Sequence, residues 1–222
     1  MIVRPVVLAM GLLTLASTSQ AQQKEPIGPF VVDLRAVSSG LPAEPGWTPL
    51  LPAATVVPAR GLGVEIGAHV NLLRRRSVAL GVGATWLKAR GSTSPPDVGE
   101  SATPPTAPTN PDVTTRVTAF APQVSLNFGH SLGWSYLSVG LGRSRTESEA
   151  SLAGGTTTFT PSDSGWVKTL NYGGGARWFL TDRFGVGFDL RWHEVGLVPA
   201  SAAHPGAGRA SLFVAGVGIV IK

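Results

Sequence analysis

The sequence predicts an all-β fold, an eight-stranded antiparallel up-and-down transmembrane β-barrel that follows a cleaved signal peptide. Three observations carry the prediction. Eight segments alternate apolar and polar residues with period two, at 29–38, 61–74, 77–89, 114–129, 134–146, 166–180, 184–195 and 209–221, and an even strand number suits a closed antiparallel barrel. The connections alternate in length: long near 39–60, 90–113 and 147–165, medium at 196–208, and short near Arg75, at 129–133 and at 181–183. Finally, 171–193 reads as a complete hairpin. Tyr172, Ala176, Trp178, Val186, Phe188, Leu190 and Trp192 share one parity, while Asn171, Arg177, Asp189, Arg191 and His193 take the other. A soluble sheet would bury the greasy face under a second layer. A barrel in lipid turns it outward and puts the charges in the lumen.

Taken in order, residues 1–21 form a segment of their own: Arg4 gives a positive start, Val6 to Leu15 an apolar core, and Ser19-Gln20-Ala21 a small-x-small cleavage site. The apolar run is shorter than the roughly 20 residues a spanning helix needs, so the reading is a signal peptide, with 22–222 as the barrel domain. Each later segment is long enough to cross a hydrocarbon layer as a tilted strand. Strand by strand, the outward parity holds Phe30, Val32 and Leu34; Leu62, Val64, Ile66 and Val70; Leu80, Val82 and Trp86; Phe120, Val124, Leu126 and Phe128; then Leu137, Val139 and Leu141. The last strand is ambiguous, because Phe213, Val217, Ile219 and Ile221 compete with apolar Leu212, Val214 and Val220 on the other parity. Aromatics fall at two depths. Phe128, Trp134, Trp178 and Phe184 lie near the tight turns, and Trp86, Phe120, Trp166 and Trp192 near the long loops, as interfacial girdles do.

The inward parity holds Asp33, Arg35, Glu65, His69, Asn71, Thr85, Gln123, Ser125, Asn127, Tyr136, Asn171, Arg177, Asp189, Arg191 and His193. These groups must pair, because an isolated charge in a narrow lumen is costly. The short turn at 181–183 sets Arg177 beside or diagonal to Asp189, within salt-bridge reach. Inward glycines such as Gly140, Gly175 and Gly187 leave room for long Arg and Tyr side chains or for a small cavity. Pro122 cannot donate to the ladder, so a bulge or local defect is expected there. Most of the 18 prolines fall in two blocks, 42–58 and 95–111, and mark loops, while many of the 28 glycines sit inside the strands.

Composition excludes several classes of function. With no cysteine there is no disulfide framework, no thiolate metal site and no lipid-anchoring cysteine after the cleavage site. The excess of 18 Lys+Arg over 13 Asp+Glu is mild, and the basic residues are scattered apart from Arg74-Arg75-Arg76, so nothing forms a nucleic-acid stripe. That triplet reads as a solvated turn facing headgroups. None of His69, His130, His193 and His204 has metal-ligand spacing with another, and no cofactor is implied. Gly173-Gly174-Gly175 has no helix after it, which removes the phosphate-loop reading.

The stretches 121–128 and, above all, 173–193 resemble the small eight-stranded outer-membrane β-barrel proteins of Gram-negative bacteria, the outer-membrane protein β-barrel domain superfamily related to OmpA and OmpX. As architecture the resemblance spans the whole barrel domain; as sequence it is specific only over the penultimate hairpin. These barrels often end in an aromatic residue, whereas this chain closes with Val220-Ile221-Lys222. The resemblance implies the outer membrane, periplasmic termini, exposed long loops, contact with lipids and lipopolysaccharide, and handling by the insertion machinery. Some such barrels are lipid-modifying enzymes with a Ser and a His on the outer wall, but His69 and His193 have inward parity and His130 lies in a tight turn beside Ser131, so no enzyme is expected. An eight-stranded interior is just wide enough for side chains. The expected role is therefore structural or surface-interacting, with Asp33, Arg35, Glu65, His69, Asn127, Arg177, Asp189, Arg191 and His193 as a lumen network. A conduit or binder for a small, apolar solute is the alternative, and a continuous void beyond Arg177 would favour it. A secreted lipocalin-like barrel is the main fold alternative; it would put the apolar set inside.

Overall fold

The computed structural model describes residues 25–44, 46–48, 51, 55–94, 111–152, 159–200 and 206–222. The expected signal peptide at 1–21 and His204 lie outside them. The strands are β1 (Phe30–Gly40), β2 (Arg60–Arg75), β3 (Val78–Thr93), β4 (Asp112–His130), β5 (Gly133–Ser151), β6 (Ser162–Asp163), β7 (Val167–Phe179), β8 (Phe184–Val195) and β9 (Ala210–Ile221). All pairings are antiparallel, and β1 pairs with β9, so the eight long strands close into a barrel. The two-residue β6 only extends the edge of β5 beyond the barrel wall.

The outer surface decides between lipid and water. Phe30, Leu34, Leu62, Ile66, Phe120, Leu141, Phe184 and Ile219 are all exposed on the outside, and Leu141 reaches 73 %. A secreted barrel would have buried them. On the last strand Leu212, Val214 and Val220 are buried and Val217, Ile219 and Ile221 exposed, which resolves the ambiguity of that segment by parity.

Local chemistry explains the short turns. The β2–β3 turn bends at Arg76, whose φ of 41° is left-handed. Between β7 and β8 the Thr181 hydroxyl oxygen accepts the N–H groups of Arg183 (3.3 Å) and Phe184 (3.0 Å), fixing a turn that needs no glycine. The expected irregularity at Pro122 takes an unexpected form. The β4–β5 ladder lapses between the pairs Phe120–Arg143 and Gln123–Gly140 and resumes in the same register, so there is a gap and no inserted residue. The bulge of the barrel is instead at Leu72, between the pairs Asn71–Gly81 and Leu73–Leu80, and it leaves Leu72 and Leu73 both outside.

Inside, apolar and polar layers alternate along the axis. At the tight-turn end Ile27, Val31, Ala79, Trp134, Phe179 and Val220 pack together. Toward the long loops come the charged residues, then Val37, Leu87, Ala119 and Val214. A larger cluster follows, in which Trp47 from the first long loop packs with Leu41, Val117, Val167, Val195, Val198 and Leu212. The N-terminal segment and Lys222 meet at the opposite end. The Ser131 N–H donates to the Glu25 carbonyl (3.0 Å), the Lys222 ammonium donates to the Ser131 carbonyl, and the same ammonium lies 4.3 Å from the Phe179 ring centre. The long aliphatic stem of Lys222, with its charged tip, thus lies across this rim.

Candidate functional site in the lumen

Strand parity aims the charged residues at the axis, and the closed cylinder decides which of them meet. Arg177 on β7 reaches Asp33 on β1 through two bonds, Nε to Oδ1 at 2.9 Å and Nη2 to Oδ2 at 2.8 Å. Arg35 bridges Asp33 at 2.8 Å and Glu65 at 2.5 Å, and donates to the Tyr136 hydroxyl oxygen at 2.9 Å. That hydroxyl donates onward to Asp189 at 2.5 Å. Arg191 holds Asp189 through two bonds of 3.0 Å and donates to Gln123 (2.6 Å) and Ser138 (3.1 Å). Gln123 Nε2 lies 2.6 Å from His69 Nε2 and donates to it when the imidazole proton is on Nδ1. Arg35, Arg177 and Arg191 thus face Asp33, Glu65 and Asp189, with each of the six buried. Equal numbers of opposite charges, forked arginine geometry and a bridging phenol are what burial of ions demands.

The pair expected between Arg177 and Asp189 does not form. Arg177 lies opposite Gly187 and Asp189 opposite Gly175, so the two are diagonal as expected. But Tyr136 is registered against Gly175 and its ring runs across that glycine to Asp189, while the Arg177 guanidinium stacks on the same ring at 3.8 Å. The phenol separates the two, and each finds a closer partner: Asp33 across the lumen for Arg177, Arg191 two residues along the strand for Asp189. A β-carbon on residue 175 would press on the Phe188 carbonyl oxygen of β8 and sit 3.0 Å from the Tyr136 oxygen, so the glycine admits both the close approach of β8 and the ring.

The other expected network residues divide. Asn127 lies in a lower amide cluster, donating to Asn71 (3.3 Å) and Ser125 (3.1 Å). His193 is buried opposite Asn171, but neither its nitrogens nor the Asn171 amide atoms have a hydrogen-bond partner among the described residues. Linking residues outside the expected set are Tyr136, Gln123 and Ser138. The first two faced inward in the sequence reading, and their registration against glycines was the available signal: Tyr136 against Gly175, Gln123 against Gly83 and Gly140. Nothing in the proline-rich loop around Trp47 announced its entry into the lumen.

Of the girdle aromatics, Phe120, Phe128, Trp166, Trp178, Phe184 and Trp192 are exposed on the outer wall and Trp86 is half-buried there. Trp134 is a correction. It shares parity with Tyr136 and Ser138, is only 3 % exposed, and stacks on Phe179 with ring centres 4.8 Å apart. Nearness to a turn suggested the girdle, but parity puts the ring inside. His130 and Ser131 sit at the β4–β5 turn.

No family model matches the chain, and no curated protein matches it. Among solved structures, it is similar to Neisserial surface protein A (NspA), at 14 % identity over 88 % of this chain and 97 % of that one, with a TM-score of 0.48. It is also similar to Ail, the attachment invasion locus protein of Yersinia pestis, at 10 % identity over 87 % and 99 %, TM-score 0.47. A third is the outer membrane protein OprG of Pseudomonas aeruginosa, at 10 % identity over 90 % and 97 %, TM-score 0.47.

Proposed function

We propose that the protein is an integral outer-membrane barrel with a structural or surface-interaction role, its lumen closed by its own side chains. The observation that carries this reading is the neutralised network joining Asp33, Arg35, Glu65, Tyr136, Arg177, Asp189 and Arg191 across the lumen. Water-filled channels line their walls with solvated charges; here the charges are spent on one another. The apolar layer with Trp47 beyond them adds a second closure. Both described ends of the barrel domain lie at the tight-turn rim, which in this reading faces the periplasm and the insertion machinery. The long loops then face outward, toward lipopolysaccharide and external partners.

Planar-bilayer recordings test the reading. The wild-type barrel should give no discrete openings, while Asp33→Ala/Arg177→Ala, which deletes a matched pair without leaving a lone charge, should admit water and raise conductance. Steady wild-type conductance or flux of a small apolar solute would establish the conduit reading instead. Recovery of the mature protein in a soluble fraction without detergent would overturn membrane insertion itself.

A further inference from the structure

The outer wall near the long loops carries cations of two kinds. Arg116 is bonded to Glu149 at 3.0 Å, and Arg145 to Asp163 at 2.9 and 2.5 Å. Arg143 on β5 and Lys168 on β7 are instead registered directly opposite each other, both exposed, and neither side chain forms an ion pair with a described carboxylate. Glu194, an outward acid two strands from Arg143, is committed to Tyr172 (3.2 Å) and Ser211 (2.8 Å). Like charges placed across a strand pair repel, and no described carboxylate is bonded to either of these two.

Beside the two cations the wall is indented. The ladder gap at Pro122 gives the floor of a groove of about 1010 Å³, flanked by Phe120, Leu141 and Trp166 and rimmed by Arg143 and Lys168. An apolar trough ending at two cations that no described carboxylate answers fits one chemistry: an amphiphile with a phosphate head and acyl tails. A free anion would leave the trough unused, and a zwitterionic head would present its ammonium to the cations.

We infer that this groove is a lateral binding site for the phosphorylated, acylated glycolipid of the outer leaflet, with Arg143 and Lys168 on a phosphate and an acyl chain along Pro122. Arginine offers a fork to the phosphate oxygens and lysine a point charge, the division of labour common at phosphate sites. The inference rests on the outer-membrane reading above, because only that reading puts the long-loop rim in the glycolipid leaflet.

The test is a titration of the full refolded barrel in detergent micelles with bisphosphorylated lipid A, followed by native mass spectrometry. Arg143→Gln/Lys168→Gln should weaken binding roughly tenfold or more, given two lost cation–phosphate contacts. Lys88→Gln/Arg90→Gln removes the same charge from exposed β3 positions away from the groove, and should bind as the wild type does. On the wild type, lipid A stripped of its phosphates should bind as weakly as the double variant, a comparison that needs no mutant to fold. Equal binding by the groove variant, equal loss in the β3 variant, equal binding of the stripped lipid, or equal binding of cardiolipin would each overturn the site as proposed. A barrel that fractionates with membranes yet fails these comparisons defeats only this inference; one recovered without detergent defeats the membrane reading.

Discussion

The middle of the lumen and its long-loop half are filled by different means. In the middle β1, β2, β4, β5, β7 and β8 each send at least one polar side chain into the hydrogen-bonded network, and each charge is answered by another. Beyond it, apolar side chains and one loop tryptophan fill the space, and Asn171 and His193 stand buried with no hydrogen-bond partner among the described residues. A barrel lumen can thus be closed by mutual neutralisation, which requires an exact count of charges, or by packing, which requires only volume. The first way fails abruptly when one member is lost, and the second fails by degrees.

The largest effect should follow from breaking the count. Asp33→Ala strips Arg177 of both its carboxylate bonds and Arg35 of one, and should cost about 4 kcal/mol of unfolding free energy, read by urea denaturation in vesicles. Trp47→Ala attacks the packed half, and a loss of about 3 kcal/mol is expected, with the loop at 46–48 becoming protease-accessible while the barrel still migrates as a folded species on unheated gels. Gly175→Ala is subtler: the added methyl meets the Phe188 carbonyl oxygen first and the Tyr136 oxygen next, so it must push β7 and β8 apart locally and crowd the phenol against Asp189, at a cost of about 2 kcal/mol. The smallest change should have the opposite sign. His193→Leu replaces two nitrogens that no described residue bonds by hydrocarbon beside Leu212, its registered neighbour, and should raise stability by about 1 kcal/mol. A loss of 2 kcal/mol or more there would mean that the imidazole has a bonded role in the lumen, and the contrast between the halves would collapse.

Parity made most of the barrel readable from the sequence, because one face of every strand meets lipid and period two records it. Asp33, Arg35, Glu65, Asp189 and Arg191 were aimed inward on that ground alone, and all are buried. Parity does not say how far a side chain reaches across a cylinder. Arg177 was matched to Asp189 on the neighbouring strand, whereas its partner Asp33 lies 144 residues away in sequence and comes near only through the β1–β9 closure. Trp134 was placed by its distance from a turn when its even position on β5 already pointed inward. Pro122 gave the site of a defect but not its kind, since a missing donor can be absorbed by a gap as well as by an extra residue. Trp47 entered from a loop with no period to read, so only the tertiary structure could place it.

The β1–β9 seam has a bearing on the order of assembly. Its register runs only from Val32 to Ser39 on β1, shorter than the Phe30–Gly40 span that β1 shares with β2. Joining these far ends of the domain carries the greatest loop-closure entropy of any strand pairing in the molecule. Until that zip is shut, Asp33 stands on the edge strand β1 and Arg177 on β7, two strands in from the opposite edge, each still answered by water. The forked bond between them is therefore a latch thrown at the last step, and an unrolled intermediate would have to shelter three carboxylates and three guanidinium groups from the lipid before it could complete its circle.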